Sequence, residues 1–207
     1  MSNPEIPLNG FVDYLRTRGA ARVDVAARHI AQAAEPYSPA RDFYRRILSA
    51  IVAAHRSGDD AAVLSHALDA APPARRGHYR AVADGWLRYR HRITGTTPVR
   101  THTGRWRDEH LTVKVTPHLA VRHSDGRTEA LFLYLKADPL PPADAHAMLW
   151  LAGEAIDEAC PGAEPVIVDV RRGRAFRRRP DKPGYPVWLS AEAHGYRQLR
   201  DRLAVPA

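Results

Sequence analysis

The chain has 207 residues, 44% hydrophobic and 26% charged, which is enough for one good core with a helical extension and is too apolar for a disordered chain. A formal net charge of +8, with 28 arginines and three lysines, favours polyanionic partners: nucleic acid, an acidic protein or an anionic membrane surface. The single cysteine, Cys160, excludes an internal disulfide framework and a cysteine-based zinc cluster. No apolar run is long enough to span a bilayer and no signal-like segment opens the chain, so a soluble cytoplasmic protein without membrane partners is expected.

Residues 1–93 read as a helical N-terminal region and residues 94–207 as an α/β core with a C-terminal helix. Phe11–Arg18 is a short amphipathic segment ending at Gly19. Val23–Ala34 spaces Val23, Ala26, Ala27, Ile30 and Ala34 as a helix does. Ser38 followed by Pro39 has the form of an N-cap and first helical position, and Phe43, Ile47, Leu48, Ile51 and Val52 continue one apolar face to Gly58. Asp59–Ala70 is a further helix. Pro72-Pro73 breaks the chain, and Gly77–Arg92 carries Tyr79, Val82, Trp86, Tyr89 and Ile93 in one stripe.

The period then changes. Leu111, Val113 and Val115 alternate with polar residues, as in a half-buried strand. Asp125-Gly126 is a hairpin turn signal, and Glu129–Lys136 is the returning strand. Pro141-Pro142 opens a helix closed by Cys160-Pro161-Gly162. Val166–Val170 is another strand, Arg172-Gly173 turns it, and Arg174–Arg177 returns. Prolines 180, 183 and 186 mark a loop, and Ser190 caps a last helix. Strand, helix and strand in one sheet make a right-handed parallel crossover. The expected fold is therefore α/β (α+β): a mixed central sheet with an antiparallel hairpin and a βαβ crossover, preceded by a helical N-terminal region. Residues 94–102 are either a linker or the first core strand.

Two short signatures sit in this stretch, Thr116-Pro117-His118 and Tyr134-Leu135-Lys136. With the order of helix, hairpin, helix and strand, they resemble the core of the PD-(D/E)XK, or restriction-endonuclease-like, nuclease superfamily. The resemblance puts His118 in place of the first motif's Asp and Tyr134 in place of the second motif's acid, and keeps Lys136. It implies catalytic positions at His118, Tyr134 and Lys136 that have degenerated. Mg²⁺ prefers carboxylate and water, and imidazole and phenol replace them poorly, so metal-dependent cleavage is expected to be lost. Asp138 and Asp84 are the nearby acids by which such a site would be rescued. A two-residue turn sets His118 opposite Leu133 and away from Lys136. One extra residue in the turn brings His118 onto the face of Tyr134 and Lys136. The sequence leaves this register open.

The densest basic cluster is Arg171, Arg172, Arg174, Arg177, Arg178, Arg179 and Lys182, with Tyr185 and Trp188 available for stacking. It reads as a phosphate grip, or as a solvated turn that protects an edge strand. In Trp86–Arg92 the aromatics fit a core stripe and the arginines a solvated face. His102, His110, His118 and His123 fall close together without the paired spacing of a zinc site. Lys136 is either a desolvated base or a snorkelling side chain, and Cys160, at a helix C-terminus, is structural. The expectation is a nucleic-acid-associated protein on a nuclease-like core, without cofactor or bound metal. Two alternatives stand beside it. One is a protein–protein or regulatory module of a bacterial multi-component system, as a homodimer in one version. The other is a metal nuclease with relocated acids that uses Mg²⁺.

Overall fold

A computed structural model describes residues 3–34, 43–178 and 183–204. In chain order these form β1 (Glu5–Pro7), α1 (Leu8–Arg16), α2 (Ala21–Ala34), α3 (Arg45–Ser57), α4 (Asp60–Asp69), α5 (Pro73–Arg90), β2 (Thr97–Val99), β3 (Gly104–Arg107) and β4 (Thr112–Val115). There follow β5 (Leu119–Arg122), β6 (Thr128–Tyr134), α6 (Pro142–Glu154), α7 (Ile156–Ala159), β7 (Ala163–Asp169), β8 (Arg174–Arg177) and α8 (Tyr185–Ala204). Short 3₁₀ turns cover His91–Ile93 and Val170–Arg172.

The main sheet has five strands in the order β2-β5-β6-β7-β8. β2, β5 and β6 run antiparallel, β6 and β7 are parallel across the α6–α7 connection, and β8 turns back antiparallel. The expected α+β class, hairpin and crossover are present, with helices preceding them. β6 has a neighbour on each side and every one of its residues is buried. That explains its near-continuous apolar run, since a strand covered on both faces has no polar side to show. Ala130, Phe132 and Tyr134 enter one core with α1, α6 and α8; Leu131 and Leu133 enter another with Ile47, Ile51, Val82 and Trp86 of α3 and α5. Both cores combine residues from before and after Ile93.

One strand pairing differs from expectation. β4 does alternate, but it belongs to a second, three-stranded sheet of order β1-β4-β3, where it is parallel to β1 and antiparallel to β3. The hairpin partner of β6 is β5, on the other side of Pro117. A period of two marks a strand without saying which sheet it joins. Three- and four-residue strands such as β1, β2 and β3 are too short to show a period at all. Residues 94–102 contain the edge strand β2.

Prolines account for two shifted boundaries. α5 starts at Pro73, within the segment taken as a break, and α8 starts at Tyr185 with Pro186 in its first turn, five residues before Ser190. A proline in the first turn loses no helical hydrogen bond, so it opens a helix as readily as it ends one. The proposed cap at Ser38 and Pro39 lies outside the described residues.

The hairpin register is settled by its turn. His123 N–H donates to Arg127 O at 2.8 Å, Asp125 Oδ1 accepts from Arg127 N–H at 3.0 Å, and Gly126 has φ +86°, which glycine adopts without strain. Three residues, 124–126, lie inside this closure, one more than in a two-residue turn. Leu119 pairs with Leu131 and Arg122 with Thr128; His118 lies just before this ladder, at the edge of β6, where it lines the same cavity as Tyr134 and Lys136 and also faces α3.

α5 meets the turn after β7 backbone to backbone at Gly85. A Cβ there would lie 2.0 Å from Val170 O and 2.8 Å from the Arg171 Cα. Gly85→Ala is therefore expected to destabilise the fold by about 3 kcal/mol, the upper end for overpacking, because backbone cannot swing aside as a side chain does. Urea unfolding of the two proteins measures this, and equal midpoints would contradict it.

Candidate functional site

β6 and β7 end side by side, with Tyr134 opposite Asp169. The carboxyl ends of adjacent parallel strands form the usual binding crevice of an α/β sheet. Here the chain leaves β6 through Leu135 and Lys136, while α1 and α6 close over the end. The result is a cavity of about 220 Å³ lined by Asp13, Arg16, Tyr44, His118, Tyr134 and Lys136, among others.

The side chains are arranged as cation–anion pairs. Lys136 Nζ lies 2.6 and 2.8 Å from the two Asp13 oxygens. Both partners are more than a third exposed, so solvent screens the pair and it contributes less than about 1 kcal/mol to stability. Arg16 Nε lies 2.9 Å from Asp144 Oδ2, and Arg16 Nη1 donates to the Tyr134 hydroxyl at 3.4 Å. Burial raises the Asp144 pKa; Arg16 opposes that and the Asp13 charge adds to it. Burial also holds the His118 imidazole down to about 4. Leu133 N–H donates to His118 Nδ1 at 2.9 Å, and His118 N–H donates to Leu131 O at 3.0 Å. The neutral ring thus carries its proton on Nε2. Pro117 has no N–H with which to continue the ladder, and the imidazole satisfies the strand edge beyond it.

The three positions implied by the family resemblance are therefore brought together at one cavity. The sequence reading missed the acids that meet them, Asp13 and Asp144, which come from α1 and α6. No local pattern marks these two residues, because only the tertiary packing of α1 and α6 carries them there. Asp138 and Asp84 do not line the cavity; both are exposed, Asp84 on the outer side of α5. Asp169 was also missed, although a carboxylate ending the apolar run Val166-Ile167-Val168 is a visible signal. It is buried, accepts from Leu140 N–H at 3.2 Å, and pairs with Arg172 at 3.2 Å, tying the loop after β6 to the end of β7.

This donor set does not fit Mg²⁺, which requires several oxygen ligands in octahedral array. Both Asp13 oxygens face Lys136, Asp144 faces Arg16, and His118 Nδ1 is engaged by Leu133. Among the described residues no three His, Cys, Asp or Glu side chains converge.

The basic cluster is divided in use. Arg171 donates to Leu135 O at 2.9 Å and to the Tyr44 hydroxyl at 3.3 Å, and lies 3.0 Å from His78 Nδ1. Arg172 donates to Ala137 O at 2.7 Å as well as to Asp169. Arg177 lies 2.9 Å from Glu129, a fully buried carboxylate. These three hold the fold together at the strand ends. Arg174 lies over the Phe176 ring, 4.6 Å from its centroid, and Arg178 lies 3.9 Å from Glu154. Arg179 and Lys182 lie outside the described residues.

In Trp86–Arg92 the aromatics Trp86 and Tyr89 are buried as expected, while Arg88 donates to Arg171 O at 2.8 Å. The histidines diverge. His118 lines the cavity, His110 faces His194 at 3.1 Å and His123 faces Glu129 at 3.3 Å. Cys160 is buried and burial raises its thiol pKa, in keeping with a structural role. Among the described residues no helix is long and apolar enough to cross a membrane. No protein-family model matches the chain, and no curated protein matches it.

His118 gives a pH test. Its folded pKa of about 4 lies below the ordinary 6.5, so the unfolded chain binds the proton more readily. Stability is complete above pH 6.5 and falls as the pH drops towards 4, by on the order of 3 kcal/mol from this residue. Burial lowers His29 and His55 as well, which adds slopes of the same sign. His118→Asn keeps an acceptor for Leu133 N–H and removes the titration. Denaturant midpoints at pH 7.5 and 4.5 should differ less for this variant than for the parent; an unchanged difference would contradict the buried neutral ring.

Proposed function

We propose that this chain binds nucleic acid on a PD-(D/E)XK-like core and does not cut it with a metal ion. What carries the reading is the charge of the helical layer behind the cavity. α3 and α5 together contain eight arginines and one acid, Asp84; α4 beside them brings Asp60, which pairs with Arg90 at 3.1 Å, and among the described residues the other arginines are not offset in this way by α4. On α5, Arg76, Arg80, Asp84 and Arg88 recur every fourth residue and are all exposed, so they form one stripe. Arg88 connects that stripe to the turn after β7, where Arg171, Arg172 and Arg174 follow. Arg171 in turn touches Tyr44 at the cavity wall. A row of guanidinium groups with little opposing charge is what a phosphate backbone requires. The strand order, antiparallel β2-β5-β6 and then a helix into parallel β7, agrees with the family resemblance. A cytoplasmic location belongs to the same reading.

Lys136 lies close to this surface, across the cavity from Tyr44. In this account it acts as a fixed cation balanced by Asp13 and activates nothing. Phosphate contacts fix position on the strand and carry no sequence information themselves.

Fluorescence anisotropy of a short labelled oligonucleotide across a salt series tests the reading. The logarithm of the affinity should fall linearly with the logarithm of salt, by about 0.7–0.9 per phosphate contact. Arg80→Ala with Arg174→Ala should flatten the slope by roughly one to two units while leaving thermal stability unchanged. Absence of binding to DNA and RNA at low salt would remove the proposal.

A further inference from the structure

A second cavity, about 250 Å³, lies across Arg16 from the first and is lined by Val12, Arg16, Arg18, Asp144, Tyr185 and Trp188, among others. Arg16 and Val12 line both, so the two are neighbours along one groove. We propose that the second cavity, on the α1, α6 and α8 side of the sheet, is a stacking subsite for one unpaired nucleobase, which selects single strands over duplex. This rests on the nucleic-acid reading and extends it to a substrate class.

Tyr185 and Trp188 lie on the first turn of α8 and meet edge to face, with centroids 5.4 Å apart at 89°. Such a pair lines a corner, and each ring retains a face for something else. Trp188 is 38% exposed, whereas Trp86, Trp106 and Trp150 are all buried in the cores. Burial of the indole therefore does not explain its presence here.

The ring is nonetheless held in place. Its N–H donates to Glu192 Oε1 at 3.2 Å, and Glu192 is gripped in turn by Arg22 at 2.9 Å. An oriented, solvent-facing indole loses little entropy when a base stacks on it. Two guanidinium groups flank it. Arg16 is fixed by Asp144 and Tyr134, and Arg18 is exposed, with no hydrogen bond or ion pair among the described residues. Aromatic faces interleaved with cations are the pattern by which single strands are bound, each base offering a π face and each phosphate a charge. A duplex keeps its bases stacked inside and cannot offer one to this pocket without unpairing.

Intrinsic tryptophan fluorescence reads the site, because Trp188 is the one tryptophan open to solvent. Single-stranded oligonucleotide should quench it at low salt, while duplex of equal length binds with little quenching. Trp188→Ala should remove the quenching and weaken single-strand binding about tenfold or more, with duplex affinity unchanged. Trp188→Phe, which keeps an aromatic face, should retain most of the affinity and guards against a folding artefact. If single strand and duplex bind equally and Trp188→Ala alters neither, the subsite is overturned while the basic surface stands. If neither nucleic acid binds, the reading beneath it falls as well.

Discussion

The structure depends on β6 having no free side. It is hydrogen-bonded to β5 and β7, and its two faces belong to two different cores. A shift of one residue would exchange those faces and carry every large side chain into the wrong core. Register is therefore tightly fixed, and so is everything that hangs from the strand's carboxyl end. Tyr134 is placed opposite Asp169, Lys136 emerges next to α1, and His118 closes the edge at Leu133 N–H. The site is a consequence of the burial.

Around that end the chain balances charge locally. Asp13 answers Lys136, Asp144 answers Arg16, and Asp169 answers Arg172. At the far end of the same strand, buried Glu129 lies 2.9 Å from Arg177, 3.5 Å from Arg127 and 3.3 Å from His123. Leaving a carboxylate in such a position without a partner would be far more costly than any of these pairs is stabilising. The arginines near the sheet are thus partly committed to the fold. Those on the outer stripe of α5 are placed at the surface, and a polyanion would meet them there.

Much of this architecture was legible in the sequence. The stripe Tyr79-Val82-Trp86-Tyr89 marked α5, the apolar run after Asp125-Gly126 marked β6, and Pro142 to Ala159 marked the crossover. What escaped was information that the chain does not hold locally. β4 carries a clear alternation, yet its partners are β1, more than a hundred residues earlier, and β3. Asp13 reaches Lys136 only because β1 draws the N-terminus alongside β4 and sets α1 against α6. His118 sits at the edge of β6 because Pro117 interrupts the ladder just before Leu119. Tyr134 and Lys136 lie at the end of β6, and the acids found beside them, Asp13 and Asp144, come from α1 and α6.

The cavity holds balanced ion pairs, and the basic surface beside it is proposed to bind nucleic acid by charge without a metal ion. The most direct measurement follows the full-length protein with labelled oligonucleotide in EDTA and then in Mg²⁺ or Mn²⁺, reading binding and chain length together. The account predicts binding in EDTA, weakened by Mg²⁺ only as far as ionic screening requires, with the oligonucleotide intact. Metal-dependent cleavage that disappears in Asp13→Asn or Lys136→Ala would contradict it.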